Sequence, residues 1–170
     1  MADPERIDAI RTNERGHIER YEFANKFAHG QTVDAGCGLG YGAKMLLDAG
    51  ADRVIAVDYS NEAIDYAVEH HPGPIYMVAD VTKVMVPADV TVCLEAFSHF
   101  DVPERFLGNI GSPVLIISQP TIPSREVYPY RLHDFTEDQF RGMLQERGWR
   151  VFDELRQRNY ITLACRRGDG

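Results

Sequence analysis

Basic residues are in the minority in this chain. Lys and Arg number 18 against 26 Asp and Glu, giving a formal net charge of −8. Proteins that hold nucleic acid neutralise phosphates with a surplus of the opposite sign, so duplex and RNA partners are disfavoured. No run of about 18 apolar residues is present that would span a bilayer. The opening stretch, "MADPERIDAIRTNERGHIER", holds no apolar core of signal-peptide length. A cytoplasmic protein with no membrane partner is the expectation. Cysteine is scarce as well. Cys37, Cys93 and Cys165 are odd in number, far apart and never in a C-x-x-C pair, which reads as reduced thiols. The histidines are scattered except for His70 and His71 before "PGP", a pair that reads as a helix end whose dipole favours cations. No metal site is expected.

What is present suits one globular domain over residues 1–170, since a chain of this length commonly builds a single core. No internal repeat or low-complexity tract divides it. Residues 1–30 read as an N-terminal helical cap. There, charges alternate with Ile7, Ile10, Ile18, Tyr21, Phe23 and Phe27, as in one or two amphipathic helices with a break near Gly16. "HGQTVDAG" reads as a first strand, and "YGAKMLLDAGA" as a helix stopped by Gly50. "RVIAVDYS" is a second strand, whose near-continuous apolar run suits burial on both faces of a parallel sheet. "NEAIDYAVEHH" follows as a helix with an Asn or Ser cap, then "PIYMVADV" and "ADVTVCLEAF" as third and fourth strands. "DVPERFLGNI" gives a short helix, "PVLIISQ" a fifth strand, and "TEDQFRGMLQERG" a helix with a Thr cap and a Gly stop. The last two apolar runs, "WRVFDELRQ" and "NYITLACRR", are too close together for anything but an antiparallel hairpin. The expected architecture is therefore α/β, a doubly wound and mostly parallel sheet of seven strands with a terminal antiparallel hairpin. Met77, Met85 and Phe97 read as core.

The densest local signal is "VDAGCGLGYGA", residues 33–43, where four glycines fall within seven residues directly after the first strand. Glycine lets the backbone turn with positive φ and removes the Cβ that would hold a ligand away. In open α/β sheets this first loop belongs to the ligand crevice. Two cofactor chemistries compete for it. "GLGYGA" satisfies the dinucleotide pattern G-x-G-x-x-A, but Gly38 lies four residues beyond Asp34, later than that fingerprint should begin. A carboxylate near a pyrophosphate would also repel it by ~4 kcal/mol at 4 Å and an effective dielectric of 20. S-adenosylmethionine reverses the sign, because its ammonium and sulfonium are cations that Asp34 would attract. Asp58 ends the second strand 22 residues after Gly36, a separation suited to a ribose. Asp80 closes the third strand, placed to accept from an adenine amino group with the Val81 amide facing the ring; a turn cap is the bland alternative for that Asp.

With D-x-G-x-G-x-G, "VIAVDYS", "VADVT" and "VTVCLEAFSHF" in order, the sequence resembles a class I S-adenosylmethionine-dependent methyltransferase over nearly its whole length. "ERYEFANKF", "LEAFSHFDVPERFL", "LIISQP" and "RLHDFTEDQFRGMLQERGW" are similar to small methyltransferases found with glycan and natural-product pathways. The resemblance implies that Asp34, Gly36, Cys37 and Gly38 line the methionine end and that Asp58 and Tyr59 hold the ribose. It further implies Asp80 and Val81 at the adenine, Glu95 as a floor below the sulfonium, and Tyr21 reaching in from the N-terminal helix. "LGNIGSP" is shorter than the usual turn before the fifth strand, and no substrate-recognition insert is present. "LEAF" stands where nucleobase amino methyltransferases carry Asp/Asn-Pro-Pro-aromatic, and no Pro-Cys nucleophile occurs, which again argues against DNA as acceptor.

The implied reaction moves a methyl group to a small-molecule or glycan acceptor and leaves S-adenosylhomocysteine. Methyl transfer is an in-line displacement, so alignment is the main task, and a hydroxyl acceptor also needs a base. His99, just past the fourth strand, is the first candidate, with His133 in "PTIPSREVYPYRLHDF" second. That loop reads as an ordered lid in which Tyr128, Tyr130 and Arg131 either meet substrate or brace the chain. Two other readings stay open: a non-catalytic methyltransferase-like partner subunit, and an enzyme that uses the sulfonium otherwise, for example to cleave the cofactor. The acceptor's identity and the oligomeric state are not encoded in any transferable pattern.

Overall fold

The computed structural model describes residues 15–126 and 128–168. Helix α1 (Arg15–Asn25) leads into β1 (Gln31–Ala35), α2 (Tyr41–Asp48), β2 (Arg53–Asp58), α3 (Asn61–His70) and β3 (Ile75–Val78). After a helix-free stretch come β4 (Val90–Cys93), a single 3₁₀ turn (Phe97–His99), α4 (Pro103–Gly108) and β5 (Val114–Pro120). The chain closes with α5 (Glu137–Gln145), β6 (Trp149–Arg156) and β7 (Tyr160–Arg167).

Local chemistry sets the helix ends. Ser60 caps α3 by accepting from the Ala63 N–H, and Thr136 forms a full capping box with Gln139 at α5. Helix α2 stops as a Schellman motif. Ala51 N–H returns to the Leu46 carbonyl and Gly50 N–H to Leu47, with Gly50 at φ 122°. Two expectations need correction. Gly16 makes no break among the described residues but lies in the first turn of α1; the rest of the expected break falls at residues 1–14, outside them. Met85 is not core: it is 59% exposed in the stretch between β3 and β4, where no helix covers it.

The seven strands lie in the order β3-β2-β1-β4-β5-β7-β6. The ladders from β3 to β5 are parallel, while β7 runs antiparallel to both β5 and β6. Both faces are buried. Val33, Cys93, Leu115 and Ile117 point into a core closed by Phe106 and Leu107 of α4 and by Phe140 and Leu144 of α5. Val54, Ala56, Val92 and Ile116 point into a second core under Tyr21, Ala43, Leu46 and Ile64 of the first three helices. Strand alternation divides one apolar run between these two cores. Because β1 lies between β2 and β4, the chain order reverses there, and the crevice opens at the carboxyl ends of β1 and β4.

At the opposite margin, Glu137 of α5 accepts from Arg141 and from Arg156 of β6 at 2.8 and 2.9 Å, and Arg141 also reaches Glu154. The Arg156 and Arg141 hydrogen bonds hold the Glu137 carboxyl down to about 2. A depressed folded value stabilises above the ordinary carboxylate range and is lost as pH falls toward that value. Arg156→Ala is expected to move the acid-unfolding midpoint to higher pH by a small step that molar salt erases, read by circular dichroism.

Candidate functional site

The loop after β1 is shaped by its glycines and by β2. Gly36 and Cys37 N–H groups both donate to the Val57 carbonyl, at 2.8 and 3.1 Å, which folds the loop back over the end of β2. Gly36, Gly38 and Gly40 have φ values of 77°, 52° and 85°. A Cβ on Gly36 would stand 2.5 Å from that of Ala96, whereas a Cβ on Gly38 would meet nothing within 4 Å. Gly38 therefore borders open space at the crevice, with bare backbone facing it.

Two carboxylates flank that space from below. Asp34, fully buried, accepts from the Tyr21 hydroxyl at 3.2 Å on each oxygen. Burial pushes its carboxyl up to about 7; the Tyr21 hydrogen bond pulls it back, and the nearby Asp58 charge raises it further. Asp58, 2% exposed, accepts from Gly38 N–H and Ser60 N–H at 3.0 Å each. Tyr59 beside it is 68% exposed. Tyr21 reaches Asp34 because α1 packs on α2 at a residue with no side chain: a Cβ on Gly42 would fall 1.9 Å from the Tyr21 ring.

Glu95 closes the third side. It accepts from His17 Nε2 at 2.6 Å and pairs with the Arg20 guanidinium, both on α1. Arg20 is buried, stacks on Tyr160 at 4.2 Å and donates to Gln157 Oε1 at 2.6 Å, which ties α1 to the β6–β7 turn. Tyr21, Asp34, Gly36, Cys37, Gly38, Asp58 and Glu95 are thus brought together at the carboxyl edge. His17 and Arg20 join them without having been singled out from the sequence; their only local signal is position on the helix turn before Tyr21.

Other candidates are engaged elsewhere. Asp80 accepts from Thr82 N–H and Oγ1 at 2.9 and 2.6 Å and pairs with Lys83 at 2.9 Å, the turn-capping role weighed for it. Val81 is buried against the core beneath that turn. His133 is a brace: its Nε2 donates toward the Phe100 and Asp101 carbonyls at 3.0 and 3.3 Å, and its ring stacks on Phe135. Arg131, also buried, donates to Ser124 Oγ at 2.6 Å and to the Tyr160 hydroxyl, so it too braces the loop of residues 121–135. The loop is pinned again where Leu132 and His133 N–H groups donate to the Ser98 carbonyl. His99 ends the 3₁₀ turn, half-buried, next to that anchor. Among the described residues no cluster of His, Cys, Asp or Glu has the makings of a metal site, and no helix is long and apolar enough to cross a membrane. The three cysteines are buried free thiols.

A family profile for a methyltransferase domain matches residues 33–111, from β1 through the turn after α4. A Mycobacterium tuberculosis protein described as a probable S-adenosylmethionine-dependent methyltransferase is 29% identical over 131 residues, covering 69% of this chain and 47% of its own. The ribosomal protein L11 methyltransferase of Thermotoga neapolitana is 30% identical over 144 residues, covering 81% and 50%. The chain spans about half the length of the curated relatives it matches. Among solved structures, magnesium protoporphyrin IX methyltransferase of Synechocystis with bound S-adenosylhomocysteine superposes with a TM-score of 0.73 at 19% identity, over 90% of this chain and 84% of the other.

Proposed function

We infer that the chain is a class I S-adenosylmethionine-dependent methyltransferase, an enzyme that moves a methyl group from S-adenosylmethionine to a small-molecule or glycan acceptor. The observation that carries this reading is the pairing of open glycine backbone at Gly38 with two buried carboxylates, Asp34 of β1 and Asp58 of β2, beside a loop with no Lys or Arg from residue 34 to residue 43. That donor set suits a cationic, ribose-bearing ligand and repels a pyrophosphate.

When bound, S-adenosylmethionine supplies a methyl carbon already activated by its sulfonium. The chain's own part is to bind, orient and exclude water. Asp34, with Tyr21 fixing its plane, would attract the ammonium, and Asp58, oriented by the Gly38 and Ser60 N–H groups, would accept from ribose hydroxyls. Exposed Tyr59 would cover the ribose, Val81 and the turn held by Asp80 would border the adenine, and the β4–β5 side with the loop of residues 121–135 would receive the acceptor. His99, at the end of the 3₁₀ turn, would serve as an acceptor-orienting group, while His133 braces the chain just after it through the Phe100 and Asp101 carbonyls. Alignment of acceptor and methyl is the dominant contribution.

Calorimetric titration with S-adenosylmethionine and S-adenosylhomocysteine tests the reading. Micromolar-range binding of either supports it; silence, or a nicotinamide dinucleotide taking the same place, overturns it. Asp58→Ala is expected to weaken S-adenosylhomocysteine by roughly tenfold to a hundredfold, the worth of one hydrogen bond to a charged group at about 1.5–3 kcal/mol. An unchanged affinity removes Asp58 from the ribose.

A further inference from the structure

The His17 imidazole is engaged at both nitrogens by side chains from two other elements. Nε2 lies 2.6 Å from Glu95 Oε2, past the end of β4, and Nδ1 lies 2.5 Å from the Tyr41 hydroxyl at the first residue of α2. Carboxylate, imidazole and hydroxyl in that order select one tautomer. With Nε2–H donating to Glu95, Nδ1 keeps the lone pair that accepts from the Tyr41 O–H.

The carboxylate at the end of this chain is held in place by its backbone. Glu95 has φ 59°, a left-handed conformation uncommon outside glycine, and its N–H donates to Ser118 Oγ at 2.9 Å. Backbone strain of this kind persists where the surroundings over-determine it, typically at functional positions. Two titratable groups that face His17 among the described residues are Glu95 and Tyr41, with Arg20 one turn along α1 taking the other Glu95 oxygen. Tyr41 in turn packs edge-on against Tyr21, the partner of Asp34, at 5.6 Å between ring centroids.

Placement adds the second line of support. Along the carboxyl edge the acids follow strand order β2, β1, β4 as Asp58, Asp34 and Glu95. With the first two given to ribose and ammonium, the third stands toward β5, the side from which an acceptor enters.

We propose that Tyr41, His17 and Glu95 form the proton-accepting chain of the methyl transfer, and that the acceptor atom is a hydroxyl oxygen; this rests on the methyltransferase reading above. As the acceptor oxygen bonds to the methyl carbon, the carbon–sulfur bond breaks with its electron pair left on sulfur. The acceptor's proton passes to the Tyr41 oxygen while the Tyr41 proton passes to His17 Nδ1. The positive charge that leaves sulfur thus reappears on an imidazolium already paired with Glu95.

Two ligands that cannot react test the proposal by binding alone. S-adenosylhomocysteine lacks the methyl group, and sinefungin carries an ammonium where the methyl stands. Calorimetry on the full chain should show a preference for sinefungin that fades as pH falls through the imidazole range. His17→Gln and Tyr41→Phe, the latter removing a single oxygen, should each cut that preference by about tenfold or more, with affinity for S-adenosylhomocysteine unchanged. Full preference retained in both variants, or a preference that vanishes in His99→Gln instead, overturns the proposal. A wild type that binds both compounds alike overturns it too and leaves the cofactor reading standing. A wild type that binds neither overturns both.

Discussion

Asp34→Asn is expected to lower affinity for S-adenosylmethionine by roughly two to three and a half orders of magnitude, the cost of leaving a buried cation without its counter-charge at roughly 3–5 kcal/mol. The same substitution should raise the melting temperature of the ligand-free protein at pH 8. The two effects have opposite signs for one reason. Burial pushes the Asp34 carboxyl from an ordinary value of 3.8 to about 7, so the folded chain binds its proton more tightly than the unfolded chain does. This group's contribution to stability therefore declines as pH rises from about 4 to about 7, and an uncharged amide that still accepts from Tyr21 avoids the loss. On the role proposed for Asp34, cofactor binding needs the ionised form. Affinity in the wild type should accordingly rise with pH up to about 7 and level off above it, a profile that asparagine flattens. Calorimetry at pH 6 and pH 8, beside thermal melts of both proteins, reads all of this. Unchanged affinity in the variant would mean that Asp34 is a structural acid and that the cation sits elsewhere.

Phe97→Ala is the substitution expected to unfold the chain most readily. Phe97 is fully buried at the start of the 3₁₀ turn, and its ring meets those of Phe100, Phe106, Phe135 and Phe140 at centroid distances of 5.6 to 6.4 Å. Truncation removes the transfer energy of the ring and leaves a cavity walled by rigid aromatics from three other segments, which collapse poorly onto it. About 3–5 kcal/mol is expected, against a total of roughly 5–15 for a domain of this size. Urea unfolding should show the midpoint falling with an unchanged slope. The turn also carries Ser98, whose carbonyl pins the loop of residues 121–135, so that loop should loosen before the glycine loop after β1 does. A loss below about 1 kcal/mol would show that the aromatic cluster repacks around the gap.

Much of the fold was legible because its determinants are local. Glycines after a strand, a Ser or Thr before a helix and apolar runs of strand length each act within a few residues, and β1 through α3 follow them closely. The hairpin of β6 and β7 was legible from the shortness of its connection. That Asp34, Asp58 and Tyr21 would meet at one edge was legible because each sits at a strand end or a helix position that the resemblance fixes. The contact of His17 and Arg20 with Glu95 was not, since it spans more than seventy residues and depends on how α1 tilts across the sheet. Arg131 illustrates the same limit: a cation in an exposed-looking loop is buried because Ser124 and Tyr160 happen to supply its acceptors. Met85 fails in the other direction, an apolar residue left uncovered where the usual helix between two strands is missing.

The near-contact between the Tyr21 ring and the bare α carbon of Gly42 ties the two positions into one unit of sequence change. A methyl group at residue 42 is admissible only alongside a slimmer residue at 21, and every slimmer residue gives up the phenol that steadies Asp34. Divergence at residue 42 alone is closed off, so a lineage that replaces Gly42 must also replace Tyr21 and find a new way to hold the acid at the end of β1.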